Sequence, residues 1–311
     1  MPPTPADAAH WRDLLQNGRD GLRQAYQATG RTSALLLRHS NLVDGLLRAV
    51  WLDMRLPASV SLVAVGGYGR KELYPGSDID LLILLPAAAD EALGKQLERL
   101  VVLLWDIGLE VGHSVRTPDE CLEEAKDITV QTNLLEARFL AGNSALSDRL
   151  AAAVRGNINA RNFYEAKLLE QQQRYARFHD TAYNLEPNLK ESPGGLRDLQ
   201  NILWISRATG LGDSWKKLAS ASLITDQEAK QIRRHELFLE NLRIRLHYLA
   251  KRREDRLLFD YQSALAEQCG FTDRAQRMAS EQLMQRYYRA AKAVSLFNEM
   301  LLKSLRERIF P

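Results

Sequence analysis

The stretch from Leu62 to Leu85 constrains the fold more than any other part of the chain. Leu62–Val65 is a short apolar run that stops at Gly66-Gly67, and it reads as a buried strand entering a tight turn. Ile79–Leu85 is a second such run, closed by Pro86. Between them the sequence predicts a short helical segment to about Leu73. Strand, glycine turn, helix and strand in that order require a small α/β unit.

Two acids and two glycines give this unit its chemistry. Asp78 and Asp80 stand at i and i+2 beside the apolar Leu-Leu-Ile-Leu run, so on a strand they share a face. Two carboxylates aimed together repel unless a cation neutralises them, and oxygen-only, charged ligands suit Mg²⁺ or Mn²⁺. Mg²⁺ in turn favours a partner with phosphate oxygens. Gly66 and Gly67 open a helical turn, where backbone N–H groups lack helical acceptors and attract anions. Without a Cβ, each glycine lets a phosphate approach closely. Ser77 adds a hydroxyl donor just before the acids. The combined spacing points to a nucleoside triphosphate, with its terminal phosphates on the glycine turn and metal bridging them to the aspartates.

Most of the remaining sequence reads as helix. Residues 1–55 carry leucines near helical spacing on either side of Gly30, and Asp90–Ile107 repeats the pattern with Leu93, Leu97, Leu100 and Leu104. Leu109–Val115 is a third candidate strand. Thr117-Pro118-Asp119-Glu120 is a helix start, with a capping hydroxyl, Pro in the first turn and acids at the positive dipole end. From there the chain is expected to be almost wholly helical, with long helices over Thr225–Asp255 and Thr272–Ile309. The expected class is α+β: a small mixed sheet embedded in a mostly helical chain with a C-terminal helical bundle. The expected domains are an N-terminal helical segment (1–55), an α/β domain (56–142) and a helical domain (143–311).

Composition narrows the function classes. Of 311 residues, 45% are hydrophobic and 26% charged, ordinary values for a globular protein. The longest apolar stretch, Leu81–Ala89, is far short of the ~20 residues that span a bilayer. Two cysteines in unrelated contexts, Cys121 and Cys269, exclude a disulfide framework and a Cys-based zinc site. A reduced, cytoplasmic protein is expected. The net charge of +3 hides an asymmetry. Residues 1–150 hold 15 Lys and Arg against 20 Asp and Glu, whereas residues 151–311 hold 27 against 19. Such a split raises nucleic acid or another anionic partner. Arg243, Arg245, Lys251, Arg252, Arg253 and Arg256 are expected to cluster on one long helix, but no aromatic residues interleave in a recognisable RNA-binding module.

The strand, Gly-Gly and Asp-x-Asp order resembles the nucleotidyltransferase superfamily of DNA polymerase β. That resemblance implies metal-dependent nucleotidyl transfer and a third carboxylate on a later strand, for which Glu110 is the candidate. Asn184-Leu-Glu-Pro-Asn-Leu-Lys-Glu-Ser-Pro-Gly-Gly195 is the second unusual stretch. Its prolines and glycines demand a fixed loop. Gly194-Gly195 at a helix start reads as another anion-type terminus, with Lys190 and Arg197 as cationic donors for a nucleotide; the bland alternative is a tight turn.

Both stretches, with Leu109-Glu-Val-Gly-His-Ser-Val-Arg-Thr117 and Phe297-Asn-Glu-Met-Leu-Leu302, resemble the bacterial bifunctional PII uridylyltransferase/uridylyl-removing family. The family implies transfer of UMP from UTP to a tyrosine of the PII nitrogen-signalling protein. Its HD-type hydrolase and ACT sensing domains do not fit in 311 residues, so a truncated or short form without uridylyl-removing activity is expected. The six histidines are scattered, and His179-Asp180 reads as structural. Two further readings stand beside this one: a non-catalytic PII-docking fragment, and an RNA-directed nucleotidyltransferase.

Overall fold

The computed structural model describes residues 5–178 and 184–311, with side chains from residue 8 onward. The chain divides into two compact units, Met1–Asn157 and Ile158–Pro311. Its class is α+β, as expected.

The first unit is built on a four-stranded mixed sheet. In chain order its elements are α1 (Pro5–Thr29), α2 (Thr32–Asp53), β1 (Ser61–Ala64), α3 (Gly66–Gly69), β2 (Ile79–Leu84), α4 (Glu91–Ile107), β3 (Val111–Arg116), α5 (Pro118–Glu124), α6 (Ile128–Leu135), β4 (Arg138–Gly142) and α7 (Ser144–Asn157). The strand order is β3-β2-β1-β4. β1 runs antiparallel to β2 and β4, and β2 runs parallel to β3. All four residues of β1 are buried, as an apolar run in the middle of a covered sheet requires. β4 interrupts a stretch after Thr117 that the sequence reads as almost wholly helical. Its sequence, Arg-Phe-Leu-Ala-Gly, is too short to show alternation, and pairing with β1 makes it a strand.

The helices are set by local signals and by a shared core. Asp90 caps α4 by accepting from Leu93 N–H at 2.8 Å, and Gly108 ends it at φ 92°. Thr117 and Glu120 form the reciprocal cap of α5. Leu46, Leu47, Val50 and Trp51 of α2 join Leu62, Ile79, Leu81 and Ile83 of the strands and Leu97, Leu100 and Leu104 of α4 in one cluster. Each such side chain stabilises the fold by roughly 1.5–3 kcal/mol. α1 and α2 therefore share the core of the sheet. α7 packs on β1 and β4, within the first compact unit.

The second unit is helical: α8 (Ala160–Arg177), α9 (Leu196–Ala208), α10 (Trp215–Ser220), α11 (Asp226–Ala250), α12 (Phe259–Gln268) and α13 (Ala279–Ile309). Leu199, Ile202, Leu239, Leu242, Leu283, Tyr287 and Val294 are fully buried in it. Thr225 and Glu228 cap α11, which ends where Lys251 takes φ 55°. Arg252, Arg253 and Arg256 thus lie beyond the helix, not on it. His179-Asp180 lies outside the described residues.

Candidate active site

The glycine turn and the acids meet on the sheet. α3 begins immediately after β1, and its first helical bond runs from Gly69 N–H to Val65 carbonyl at 3.0 Å. The amides of Gly66, Gly67 and Tyr68 precede that bond and have no helical acceptor. Gly66 is buried at φ +58°, a conformation that costs other residues roughly 1–2 kcal/mol. A Cβ there would lie 3.2 Å from Asp80 Oδ2 and 3.4 Å from Asn133 Oδ1. On the other side, Asp80 pairs in register with Gly112 of β3, where a Cβ would lie 3.0 Å from Asp80 Oδ1. The Asp80 carboxylate is therefore seated between two glycines on adjoining elements. Asp80 is half-buried, and Asp78, two residues earlier, is exposed.

A buried polar network fixes this turn to the helices behind it. Tyr68 Oη donates to Asp44 Oδ1 at 2.6 Å, and Arg138 of β4 donates to both Asp44 oxygens at 2.7 and 3.0 Å. Arg138 also donates to the carbonyls of Tyr68 and Gly69, both at 3.1 Å. Burial, and then the Asp44 carboxylate, push the Tyr68 phenol well above its ordinary range. Gly69 packs so tightly on the Glu136 carbonyl that a Cβ would collide with it.

Arg70 and Lys71 follow the glycine turn. Arg70 donates to Glu72 at 2.9 Å and to both oxygens of buried Glu136 at 2.6 Å. Burial opposes the Arg70 charge, but the two glutamates outweigh it and raise its pKa. Lys71 reaches Asn41 Oδ1 at 3.2 Å. Arg70 thus ties α3 to the C-terminal end of α6.

The other expected site residues are placed less uniformly. Ser77 N–H closes a turn on Tyr74 carbonyl at 3.1 Å, one residue before Asp78. Glu110 is exposed, just ahead of β3, and its carbonyl accepts from Ile79 N–H at 2.8 Å. The residue directly opposite Asp80 is a glycine, not an acid. Among the described residues no group of three or more His, Cys, Asp and Glu could hold a metal ion, so Glu110 does not complete a three-acid cluster with Asp78 and Asp80.

Lys190 and Arg197 belong to the second unit. Arg197 donates to Glu191 at 3.1 and 3.3 Å and lies 5.1 Å over the Trp204 ring. Lys190 Nζ is 3.7 Å from the same Glu191. Burial, then Arg197 and Arg243, lower the Lys190 pKa to about 8.

The anion-type terminus expected at Gly194-Gly195 is not formed. Gly194 N–H donates to Asp198 Oδ2 at 2.7 Å, and Gly195, Leu196 and Arg197 donate to the carbonyls of Ser192, Leu189 and Lys190. Those amides are used in closing the loop. The expected basic stripe is likewise paired: Arg243 binds Asp255 at 2.6 and 3.3 Å, and Arg252 binds Glu254 at 2.6 Å.

The donor set in the first unit fits a hard divalent cation. Asp78 and Asp80 supply oxygen only, and Mg²⁺ is usually held by one or two carboxylates together with substrate phosphates. The space that a Cβ at Gly66 would fill lies directly against an Asp80 oxygen, which suits a phosphate carrying such an ion.

Taken with the fold, this arrangement defines a nucleotidyltransferase-type unit, and residues 47–135 match the nucleotidyltransferase domain family model. Residues 162–302 match the model described as GlnD PII-uridylyltransferase. Over nearly its whole length the chain is similar to proteins named bifunctional uridylyltransferase/uridylyl-removing enzyme. It is 55% identical over 307 residues to the protein so named from Nitrosospira multiformis, covering 96% of this chain and 35% of that protein. It is 49% identical to the same-named protein of Burkholderia lata over 99% of this chain and 36% of the relative. For Burkholderia mallei the identity is 50% over 92% of this chain and 33% of the relative. The chain thus spans about a third of the length of the relatives it matches. Among the described residues no helix is long and apolar enough to cross a membrane.

Proposed function

We propose that the chain transfers UMP from UTP to a tyrosine hydroxyl of a PII signalling protein, releasing pyrophosphate, with Mg²⁺ or Mn²⁺ held by Asp78 and Asp80. The observation that carries this reading is the Asp80 carboxylate seated between Gly66 and Gly112, beside amides that have no helical acceptor. The Gly66-Gly67 turn accepts the triphosphate, and Ser77 adds a donor at its edge. A divalent ion held by Asp78 and Asp80 would stabilise charge on the α-phosphate and the leaving pyrophosphate and favour ionisation of the tyrosine hydroxyl. Asp80 is the fixed ligand, because glycine packing on both sides sets its direction. Asp78, more exposed, is the second ligand. Glu110, just ahead of β3, is the candidate third carboxylate on sequence grounds. Lys190 and Arg197 are candidate nucleotide contacts on sequence grounds. A cytoplasmic setting agrees with two cysteines that are both free thiols.

The test uses the whole chain with purified PII, Mg²⁺ and UTP labelled at the α-phosphate. Label on a PII tyrosine is expected with the wild type and none with Asp78→Asn/Asp80→Asn. A wild-type chain that binds PII without labelling it replaces this reading with the docking one.

A further inference from the structure

Asn133 is a residue to which no sequence motif points. It lies on α6, 53 positions after Asp80, yet its side-chain oxygen is 3.4 Å from the point where a Gly66 Cβ would stand. Asp80 Oδ2 is 3.2 Å from the same point. The two oxygens can therefore be no further apart than those two distances together, and both face the notch that glycine leaves open. Asn133 is half-buried, and among the described residues its side-chain amide has no hydrogen-bond partner. An asparagine inside a helix normally turns to solvent or bonds to backbone nearby. This one is directed at the glycine turn instead.

Its position is firmly held. Glu136, three residues on, binds Arg70 through two 2.6 Å contacts, and its carbonyl packs on Gly69. Asp127 caps the start of α6 through the amides of Thr129 at 2.7 Å and Val130 at 3.1 Å. Both ends of the short helix are fixed, so the side chain between them is aimed by the fold rather than by its own contacts.

We infer that Asn133 is a binding residue of the nucleotide–metal site, contributing its amide oxygen as a neutral donor to the coordination sphere of the divalent ion held by Asp80. This rests on the nucleotidyltransferase reading above. An amide oxygen is a hard donor that suits Mg²⁺ or Mn²⁺ and adds no charge to two acids already side by side.

The test is Mn²⁺ retention by the full chain in the presence of UTP, read from the electron paramagnetic resonance signal of free Mn²⁺. Wild type, Asp80→Asn, Asn133→Ala and Asn133→Asp are compared, with thermal melting as the check on folding. Asn133→Ala is expected to melt like wild type and to need about tenfold more Mn²⁺ for half-saturation. Asn133→Asp, which restores an oxygen, is expected to recover Mn²⁺ retention. If wild type retains Mn²⁺, Asp80→Asn loses it and a folded Asn133→Ala matches wild type, the inference on Asn133 fails and the nucleotidyltransferase reading stands. If wild type itself retains none, both fall.

Discussion

At Gly66 the backbone sits at φ +58° with an Asp80 oxygen 3.2 Å from where a Cβ would project. Gly66→Ala is expected to lower stability by about 1–2 kcal/mol in urea denaturation, from the left-handed conformation alone. It should also abolish UTP binding in a calorimetric titration, because the added methyl displaces Asp80. Tyr68→Phe removes the hydroxyl that donates to buried Asp44 while Arg138 still pairs with that carboxylate. A loss of about 1–3 kcal/mol is expected by the same method, with Asp44→Ala costing more because it strands Arg138.

His39 gives a pH dependence with a definite sign. Its Nδ1 lies 3.1 Å from Leu73 carbonyl, and Arg19 Nε approaches Nε2 at 3.4 Å, so the buried ring is neutral with the proton on Nδ1. Burial and then Arg19 lower its pKa from 6.5 to about 4. Between those values the unfolded chain binds the extra proton, so stability is full above pH 6.5 and falls as pH drops toward 4. The loss from this one group is roughly 3 kcal/mol. Denaturation curves across that window should flatten in His39→Gln; an unchanged slope would show that the ring does not titrate this way. Asp78, Asp80 and the glycines were legible because their spacing is local. Asn133, Glu136 and Asp44 were not, since their roles depend on which helix the fold brings to the turn.

The loop over residues 184–195 shows how an element's appearance in sequence can mislead. Its prolines, glycines and cations suggest a phosphate cradle, but its polar groups are spent on holding its own shape. Asn188 Oδ1 accepts from the amides of Lys190 at 2.9 Å and Glu191 at 2.8 Å, and Leu189 N–H donates to Asp255 carbonyl at 2.7 Å. A tight turn is the alternative reading of this loop, and the hydrogen bonds favour it for the backbone. Asn188→Ala is expected to cost about 1–3 kcal/mol, and hydrogen exchange at Lys190 and Glu191 should quicken more than in the core of α11. Equal protection in the variant would mean the loop is held by other contacts. The strands β1 and β2 were readable because each is an apolar run ended by Gly or Pro. β4 was hidden because five residues carry no period and only pairing with β1 makes them a strand.

Across the whole chain, the charge split is real but its meaning changes once pairs are located. Arg174 binds Asp198 at 2.6 Å, Arg233 binds Glu236 at 2.6 Å and Glu240 at 3.0 Å, and Arg243 binds Asp255. Cations already matched to carboxylates release few counterions on meeting a phosphate backbone. Affinity for an RNA oligomer at physiological salt is therefore expected to be no tighter than the non-specific range of about 10⁻⁴–10⁻⁶ M. Fluorescence anisotropy with a labelled oligouridylate checks this; tighter, steeply salt-dependent binding would favour the RNA reading. The central claim concerns the small unit on the sheet: Asp78 and Asp80 hold a divalent ion on a nucleotide whose phosphates rest on the Gly66-Gly67 turn. Crystals of the chain grown with Mn²⁺ and a non-hydrolysable UTP analogue test it most directly, through the anomalous scattering of manganese. The account predicts an anomalous peak in contact with the Asp78 and Asp80 carboxylates and phosphate density against Gly66. Nucleotide bound elsewhere, or manganese bound away from both aspartates, would contradict it.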